Sequence, residues 1–351
     1  SGVLTAASIL DDSPLKIPSS GGLYIPEDYD QTYAGEVSVR TALASSLNIP
    51  AVRTLTLLGL EPFAERLRSL GFTSIGQDAD YYGYSMALGS VDIRLFDLAG
   101  AYRALANQGV YSPPRFRLDA VNPAPRRVMD ERAVFIISAI LSDRDARALT
   151  FGLENYLATR FFTSVKTGTS KDMRDNWCIG YSERFTVGVW VGNFSGEPMW
   201  NVSGISGSAP VWLGIMNYLH RTESSNPPRP PEGLIRQTVR FAGGMEPART
   251  EWFLKGTEPQ GIIRLNIAHA APAITYPPDG AVIAFDPDIP AQNQNMAFEA
   301  DPPGKEYIWV LNGREIGSRT PCLWKVKPGD YTLSLLDESR QILATVQFAV
   351  K

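Results

Sequence analysis

The spacing of apolar residues changes near residue 160, and this change restricts the possible folds more than any other feature. Before it, apolar residues recur every three or four positions, as on one face of a helix, in the segments 36–59, 61–72, 95–109 and 130–143. After it, residues 160–194 contain β-rich runs separated by polar or glycine-containing turns, and helical spacing returns at 208–221. Separate blocks of helices and strands are typical of an α+β fold. We therefore expect residues 1–225 to form helices around an antiparallel sheet.

A proline-rich stretch, "TESSNPPRPPEG" at residues 222–233, is typical of a linker. We expect residues 226–263 to be a linker with short strands. From there on, strand-like runs come roughly every ten residues, with "PPDG", "NG" and "PGD" turns between them. This spacing predicts a small all-β, immunoglobulin-like sandwich at 264–351. Trp309 and Trp324 are expected to pack inside it or, alternatively, to form a ligand or partner surface.

Length and charge narrow the functional classes. A chain of 351 residues is long enough for two or three domains. Its net charge is −4, and without a long basic run a nucleic acid is not expected as a partner. No apolar stretch approaches the roughly 20 residues that a transmembrane helix needs. Since the sequence starts without Met or a leader, we expect it to be part of a longer protein whose membrane anchor lies elsewhere.

Histidine and cysteine are scarce. The two cysteines, Cys178 and Cys322, lie far apart and are expected to be free or buried thiols unless the fold brings them close enough for a disulfide. The two histidines, His220 and His269, are too few for a histidine zinc site and leave little material for a Ser-His-Asp triad. Any acyl-transfer chemistry is therefore expected to use a base other than histidine.

An apolar run leads into "KTGT" at residues 166–169. Lys166 supplies an ammonium group, and Thr167 and Thr169 supply hydroxyls. Gly168 has no Cβ atom, so a ligand can approach the strand edge closely. With the backbone N–H groups of an open edge, these groups could hold a carboxylate and an oxyanion. The alternative is a strand end with a solvated lysine and a turn glycine.

A second motif, "SSLN" at residues 45–48, interrupts the helical spacing of its segment. Serine and asparagine are common in helix caps and turns. We therefore expect Ser46 and Asn48 in a loop between two helices, with side chains free to face a cleft. Alone, the motif is equally typical of an ordinary cap.

A third motif, "SPLK", places Ser13 and Lys16 at the S-x-x-K spacing. On a helix this spacing brings a serine and a lysine together as nucleophile and base. Pro14 lies between the two residues and Pro18 follows them, and the segment lacks the apolar periodicity of a buried helix. We expect a Ser-Pro turn with an exposed lysine here rather than a nucleophile.

The order of S-x-N, K-T-G-T and a strand hairpin agrees with the active-site set of serine enzymes that react with penicillin. On these motifs the chain resembles the transpeptidase domain of class A, bifunctional penicillin-binding proteins. The stretches "VKTGTSKDMRDNWCIGYSERFTVGVWVGN" and "GYSMALGSVDIRLFDLAGAYRALANQG" carry the resemblance. The stretches "ITYPPDGAVIAFDPDIP" and "KPGDYTLSLLD" resemble the small domain that ends penicillin-binding proteins of the 1C type.

The resemblance implies a fold shared with serine β-lactamases and a role for each motif residue. Lys166 would make the site electropositive and attract a substrate carboxylate. Ser46 would relay a proton to the leaving amine, and Asn48 would hydrogen-bond the substrate backbone. Thr167 and Thr169 would contact the terminal carboxylate, with the Thr169 N–H as half of an oxyanion hole. The nucleophilic serine and its base, an S-x-x-K pair, would lie upstream of residue 1.

The implied reaction is the cross-linking of peptidoglycan stem peptides that end in D-Ala-D-Ala, through a serine acyl-enzyme that β-lactams also form. It needs no metal or nucleotide. The longer parent would also be a peptidoglycan glycosyltransferase, on the periplasmic side of a bacterial inner membrane, and its C-terminal domain could bind other cell-wall proteins. This chain alone would be inactive. The alternatives are a D,D-carboxypeptidase, a β-lactamase, which "SLN" in place of S-D-N disfavours, or a non-catalytic scaffold for cell-wall partners.

Overall fold

The chain folds into two compact units in a computed structural model that describes residues 2–19, 22–26, 32–117, 119, 124–264, 272–285, 294–301 and 307–351. The first unit comprises Ser1–Pro14 and Pro26–Leu265. The second unit comprises Leu15–Ile25 and Asn266–Lys351.

The described helices all lie in the first unit. They are α1 (Val39–Ala44), α2 (Asn48–Leu58), α3 (Leu60–Ser69), α4 (Ala79–Tyr82), α5 (Leu95–Ala106), α6 (Glu131–Leu141), α7 (Ala148–Phe151) and α8 (Ala209–Leu219). The longer helices confirm the prediction made from the spacing of apolar residues. Asp130 caps α6 by accepting a hydrogen bond from the Arg132 N–H, and Gly71 and Gly109 follow α3 and α5 with φ near +90°, which favours glycine. In the part of the chain that the structure describes, no helix is long and apolar enough to span a membrane.

The strands of the first unit are short except around a central sheet. They are β1 (Ile9–Asp12), β4 (Gly35–Ser38), β5 (Val110–Tyr111), β6 (Arg126–Arg127), β7 (Ser164–Thr169), β8 (Asp175–Tyr181), β9 (Thr186–Gly192), β10 (Leu234–Val239) and β11 (Arg249–Leu254); the hairpin of β2 (Ile17–Ser19) and β3 (Gly22–Tyr24) belongs to the second unit. The start of the predicted helical segment 36–59 is thus strand β4, which pairs with β1.

The central sheet is antiparallel with the order β7-β8-β9, so β7 lies at an edge. One face packs on α8, where Trp212 and Met216 are fully buried against Val165 and Cys178. The other face approaches α5: a Cβ atom at Gly188 would lie 2.9 Å from Leu95 Cδ1. Helices therefore cover both faces, as the α+β prediction requires.

The core of the second unit, as far as the structure describes it, lies between two sheets. Its further strands are β12 (Ala273–Tyr276), β13 (Ala281–Ile283), β14 (Asn295–Asp301), β15 (Ile308–Leu311), β16 (Arg314–Gly317), β17 (Cys322–Lys325), β18 (Gly329–Leu336) and β19 (Ile342–Val350). They form sheets of order β12-β14-β17 and β13-β19-β18-β15-β16. Phe298 from the first sheet and Leu333 and Leu335 from the second are fully buried in the same core. The predicted all-β domain is confirmed, with Trp309 fully buried and Trp324 partly buried against its core.

The structure assigns two segments differently from the domain boundaries that the sequence suggested. Residues 226–263, expected as a linker, belong to the first unit, where Val239 and Phe253 of the β10–β11 hairpin share a core with Ala7. The burial of Val239 and Phe253 explains the attachment of this hairpin. Residues 15–25 belong instead to the second unit, where the Lys16 ammonium lies 2.9 Å from a Glu299 carboxylate oxygen.

Candidate active site

Strand β7 and the turn after α1 bring two of the predicted site residues together. The Lys166 Nζ donates a hydrogen bond of 2.5 Å to Ser46 Oγ and another of 2.8 Å to the Thr167 carbonyl oxygen. The two residues are far apart in the sequence, so the fold alone creates this pair. Because Lys166 donates to the Ser46 oxygen, the Ser46 hydroxyl proton can be directed toward a ligand.

The backbone at Ser46 is held in an unusual conformation. Its φ is +63°, a left-handed conformation that costs a residue other than glycine on the order of 1 kcal/mol. The turn is fixed on both sides: the Leu47 N–H donates to the Ala42 carbonyl at 3.0 Å, and the Ser45 hydroxyl donates to the Ala146 carbonyl at 2.8 Å. Such strain at a residue whose side chain contacts a partly buried lysine is typical of a functional site.

Asn48 lies at the start of helix α2 rather than in the loop that we expected. Leu47 is the N-cap residue, and the helix begins two residues after Ser46. The predicted break between two helices is confirmed, but it is shorter than expected. Asn48 is half-buried, and its approach to a substrate stays a prediction.

Burial, together with the smaller effect of the positive charge of Arg147, lowers the pKa of Lys166 to about 8. Arg147 is itself buried, and its guanidinium donates hydrogen bonds to the carbonyl oxygens of Leu157 (3.1 Å) and Leu141 (2.5 Å). A negatively charged ligand stabilises the charged form of a desolvated lysine that lies beside a second cation. Sequence reasoning missed Arg147, because no spacing rule marks a lone arginine in a turn.

The remaining K-T-G-T residues lie on β7, at the edge of the central sheet. Within the described residues β7 pairs with β8 alone, so the other edge can offer backbone groups to an extended ligand. A Cβ atom at Gly168 would make only ordinary contact, 3.7 Å from Trp177 Cβ. Packing inside the chain therefore does not explain the glycine at this position. The close approach of a ligand would explain it. Thr167 is nearly buried, and Thr169 Oγ1 accepts a hydrogen bond from the Gly204 N–H at 2.9 Å.

Gly204 is a second residue that sequence reasoning missed. It begins a π-helical turn, Gly204–Ser208, that leads into α8. A Cβ atom at this position would lie 2.7 Å from the Gly168 carbonyl oxygen and 2.8 Å from that of Trp177. Only glycine fits this close approach, and the N–H that it brings fixes Thr169 at the end of the strand.

The S-x-x-K spacing of residues 13–16 does not form a nucleophile and base pair. The segment is not helical, and the two side chains have separate partners. Ser13 Oγ donates to Asp11 Oδ2 at 2.7 Å, while Lys16 pairs with Glu299. The structure thus agrees with the expectation that "SPLK" is a turn.

The cysteines and His220 lie outside the Ser46–Lys166 pair. Cys178 and Cys322 are both buried and unpaired, and burial raises the pKa of the Cys178 thiol, which makes it unreactive. His220 follows α8; its ring nitrogens lie 2.9 Å from Ser182 Oγ and 2.8 Å from the Glu223 carbonyl. His269 lies outside the described residues. In the described part of the chain no cluster of His, Cys, Asp and Glu could hold a metal ion.

Comparison with known proteins agrees with this architecture. Residues 1–209 match the model of the penicillin binding protein transpeptidase domain, and residues 264–348 match the penicillin-binding protein C-terminus family. The chain is 30% identical to penicillin-binding protein 1C of Escherichia coli over 273 residues, which cover 75% of this chain and 34% of that protein. It is 30% identical to penicillin-binding protein 1B of Vibrio cholerae over 60% of this chain and 28% of that protein. The chain therefore spans about a third of the length of these relatives.

Solved structures share the fold. Penicillin-binding protein 1A from Haemophilus influenzae superposes with a TM-score of 0.63 at 21% identity, over 74% of this chain and 46% of that one. The PonA1 protein from Mycobacterium tuberculosis, solved in complex with penicillin V, superposes with a TM-score of 0.54 at 22% identity, over 65% of this chain and 68% of that one. With a family model that matches more than half of its length, this chain belongs to the penicillin-binding protein transpeptidase family.

Proposed function

We propose that this chain carries the S-x-N and K-T-G motifs of a serine-type peptidoglycan D,D-transpeptidase. The observation that supports this most is the 2.5 Å contact of Lys166 Nζ with Ser46 Oγ at the open edge of β7. A hydroxyl oxygen that accepts from a lysine and lies beside a strand edge is placed to pass its own proton to a bound peptide. The substrates would be stem peptides ending in D-Ala-D-Ala, and β-lactams would bind the same site.

In this proposal the nucleophile is a serine of an S-x-x-K segment upstream of residue 1. Its oxygen bonds to the carbonyl carbon of the penultimate D-alanine, and the C–N bond to the terminal D-alanine breaks. The upstream lysine takes the proton of the attacking hydroxyl and passes it to Ser46, while Ser46 gives its own proton to the departing nitrogen. An amine of a second stem peptide then attacks the ester, which forms the cross-link. The proton that this amine loses returns to the serine oxygen as the serine leaves.

The electrostatics of the site suit a substrate that ends in a carboxylate. With a pKa of about 8, Lys166 is about nine-tenths protonated at pH 7. Its ammonium would attract the carboxylate together with the hydroxyls of Thr167 and Thr169, and the Thr169 N–H would supply half of the oxyanion hole. Asn48 would orient the peptide backbone. The same positive charge would help to keep the upstream lysine neutral and able to act as a base.

Activity of the full-length protein tests the proposal. We expect that incubation with a pentapeptide ending in D-Ala-D-Ala and an amine acceptor yields a cross-linked product, detected by mass spectrometry. A free tetrapeptide acid as the sole product would instead indicate a D,D-carboxypeptidase. Absence of any product from folded protein would favour the non-catalytic scaffold. Such a protein would act on the periplasmic side of the inner membrane, where these peptides occur.

A further inference from the structure

The first unit contains a buried ion pair between two segments that the sequence did not connect. The guanidinium of Arg40, in α1, donates hydrogen bonds of 2.6 Å to each carboxylate oxygen of Glu251, in β11. Arg40 is 6% exposed and Glu251 is fully buried. Parallel, bidentate bonds of this kind fix relative orientation as well as distance.

The pair extends toward the N-terminal end of α1. Arg249 Nε lies 2.7 Å from Glu251 Oε1, and its Nη2 donates to the Ser38 hydroxyl at 2.8 Å. Glu246 accepts the Ser38 N–H at 2.7 Å and also pairs with Arg249. Since Ser38 is the N-cap residue of α1, the β10–β11 hairpin holds the start of this helix.

The pair also extends toward the candidate site. Arg40 Nη1 donates to Asp143 Oδ2 at 2.9 Å, and Asp143 Oδ1 accepts the Ala146 N–H at 2.9 Å. The Ala146 carbonyl in turn accepts the Ser45 hydroxyl at 2.8 Å. Ser45 precedes Ser46, whose side chain contacts Lys166. A continuous path of hydrogen bonds, which passes through the backbone of Ala146, thus joins Glu251 to the Ser46 turn.

Helix α1 cannot fix the position of Ser46 by itself. It has six residues, about 9 Å of helix, which is too short to be stable alone. Its orientation therefore depends on what its ends contact. Well-packed apolar side chains often stabilise a fold as well as a buried ion pair does, so a gain in stability alone does not explain the charges here. Their directional bonds to Asp143, which follows α6, and to Arg249, in the hairpin, provide a reason.

We propose that Glu251 is a positioning residue for the acyl-transfer reaction. Through Arg40 and Asp143 it fixes the Ser45–Ser46 turn and so places the Ser46 hydroxyl against Lys166. The hairpin that carries Glu251 lies between the regions matched by the two family models, 1–209 and 264–348. It is therefore a functional part of the first unit and not only a connection. This inference rests on the proposed function of the site.

The test is the acylation of the full-length protein by a fluorescent penicillin, followed in time. We expect Glu251→Gln, which keeps the shape of the side chain, to lower the acylation rate constant about tenfold or more, because small misplacements of a catalytic group have effects of this size. The final extent of labelling and the equilibrium constant for the initial complex should not change, since the variant still folds and Lys166 still attracts the carboxylate. A loss of folded protein would instead reduce the extent of labelling at an unchanged rate constant.

A double-mutant cycle separates positioning from general destabilisation. Ser45→Ala breaks the same path at its other end, so the rate of Ser45→Ala/Glu251→Gln should be close to that of the slower single variant. Glu61→Gln, which removes an exposed pair with Arg68, is the matched control and should acylate at the unaltered rate.

A second variant provides a test that remains valid if Glu251→Gln folds poorly. Arg40→Met/Glu251→Met replaces the pair by apolar side chains and is expected to keep the melting temperature within a few degrees while acylation stays slow. An unaltered acylation rate in Glu251→Gln or in Arg40→Met/Glu251→Met would overturn the inference. So would a double variant of Ser45 and Glu251 in which the two reductions of the rate constant multiply. If the unaltered protein is folded and not acylated at all, the proposed function itself fails.

Discussion

At the scale of single residues, the site depends on a lysine that burial makes a weaker base. Lys166 has a pKa of about 8 because of desolvation and the neighbouring Arg147. Its ammonium donates to Ser46, which adopts a left-handed backbone conformation. Both features cost the folded protein stability, and such costs are common at functional sites.

The first prediction concerns pH. Because the pKa of Lys166 is lowered to about 8, the Lys166 side chain loses its positive charge as the pH rises through that value. Acylation of the full-length protein by penicillin should therefore decline above about pH 8. Lys166→Arg, whose side chain stays charged, should be slower overall and lack this decline. A rate that stays constant up to pH 10 in the unaltered protein would contradict the role of Lys166.

The second prediction separates the hydroxyl of Ser46 from its backbone. Ser46→Ala and Ser46→Gly both remove the proton relay, so each should lower the acylation rate about a hundredfold or more. The glycine variant should be the more stable of the two by about 1 kcal/mol, because glycine accepts the positive φ without strain. Stopped-flow acylation and thermal unfolding measure the two effects. Equal rates for the unaltered protein and both variants would exclude the relay.

At the scale of secondary structure elements, the sequence predicted the parts of the site but not their support. The interruption after α1 and a strand that contains Lys166 follow from local patterns and are confirmed, although the strand begins at Ser164 and not at Arg160. Arg147, Gly204 and Glu251 could not be predicted, because their roles depend on contacts between distant elements. The sequence shows that residue 204 is a glycine, but the reason for it becomes clear only when the positions of the neighbouring backbone carbonyls are known.

The third prediction tests one such approach. In Gly204→Ala the new methyl group would overlap the backbone carbonyls of Gly168 and Trp177, so β7 and the turn must move apart. We expect a loss of about 1–3 kcal/mol in stability and a lower acylation rate. Gly214→Ala is the matched control: it has open space in α8 and should stabilise by about 0.5–1 kcal/mol. Similar melting temperatures for the two variants would contradict the close approach.

At the scale of the whole molecule, the units do not follow the order of the sequence. The hairpin of residues 234–254 shares its core with Ala7 in the first unit, and residues 15–25 belong to the second. Proline-rich composition suggested a linker at 222–233. Composition describes the local chain, however, and cannot show that the strands beyond it return to the first unit.

The fourth prediction follows from this arrangement. A chain that ends at residue 225 loses the buried side chains of Val239 and Phe253 and leaves Arg40 without Glu251. Each loss costs several kcal/mol, so this chain should not fold. A chain that ends at residue 265 keeps these contacts and should unfold cooperatively in a thermal scan. Cooperative unfolding of the shorter chain would contradict the assignment of the hairpin.

The central claim is that this chain holds the relay and carboxylate-binding part of a penicillin-reactive site whose nucleophile lies upstream. The most direct measurement is to incubate the full-length protein and this 351-residue chain with a fluorescent penicillin and to map the adduct by mass spectrometry. We predict an adduct on a serine upstream of residue 1 in the full-length protein and none on this chain. An adduct on Ser13 of this chain would contradict the account.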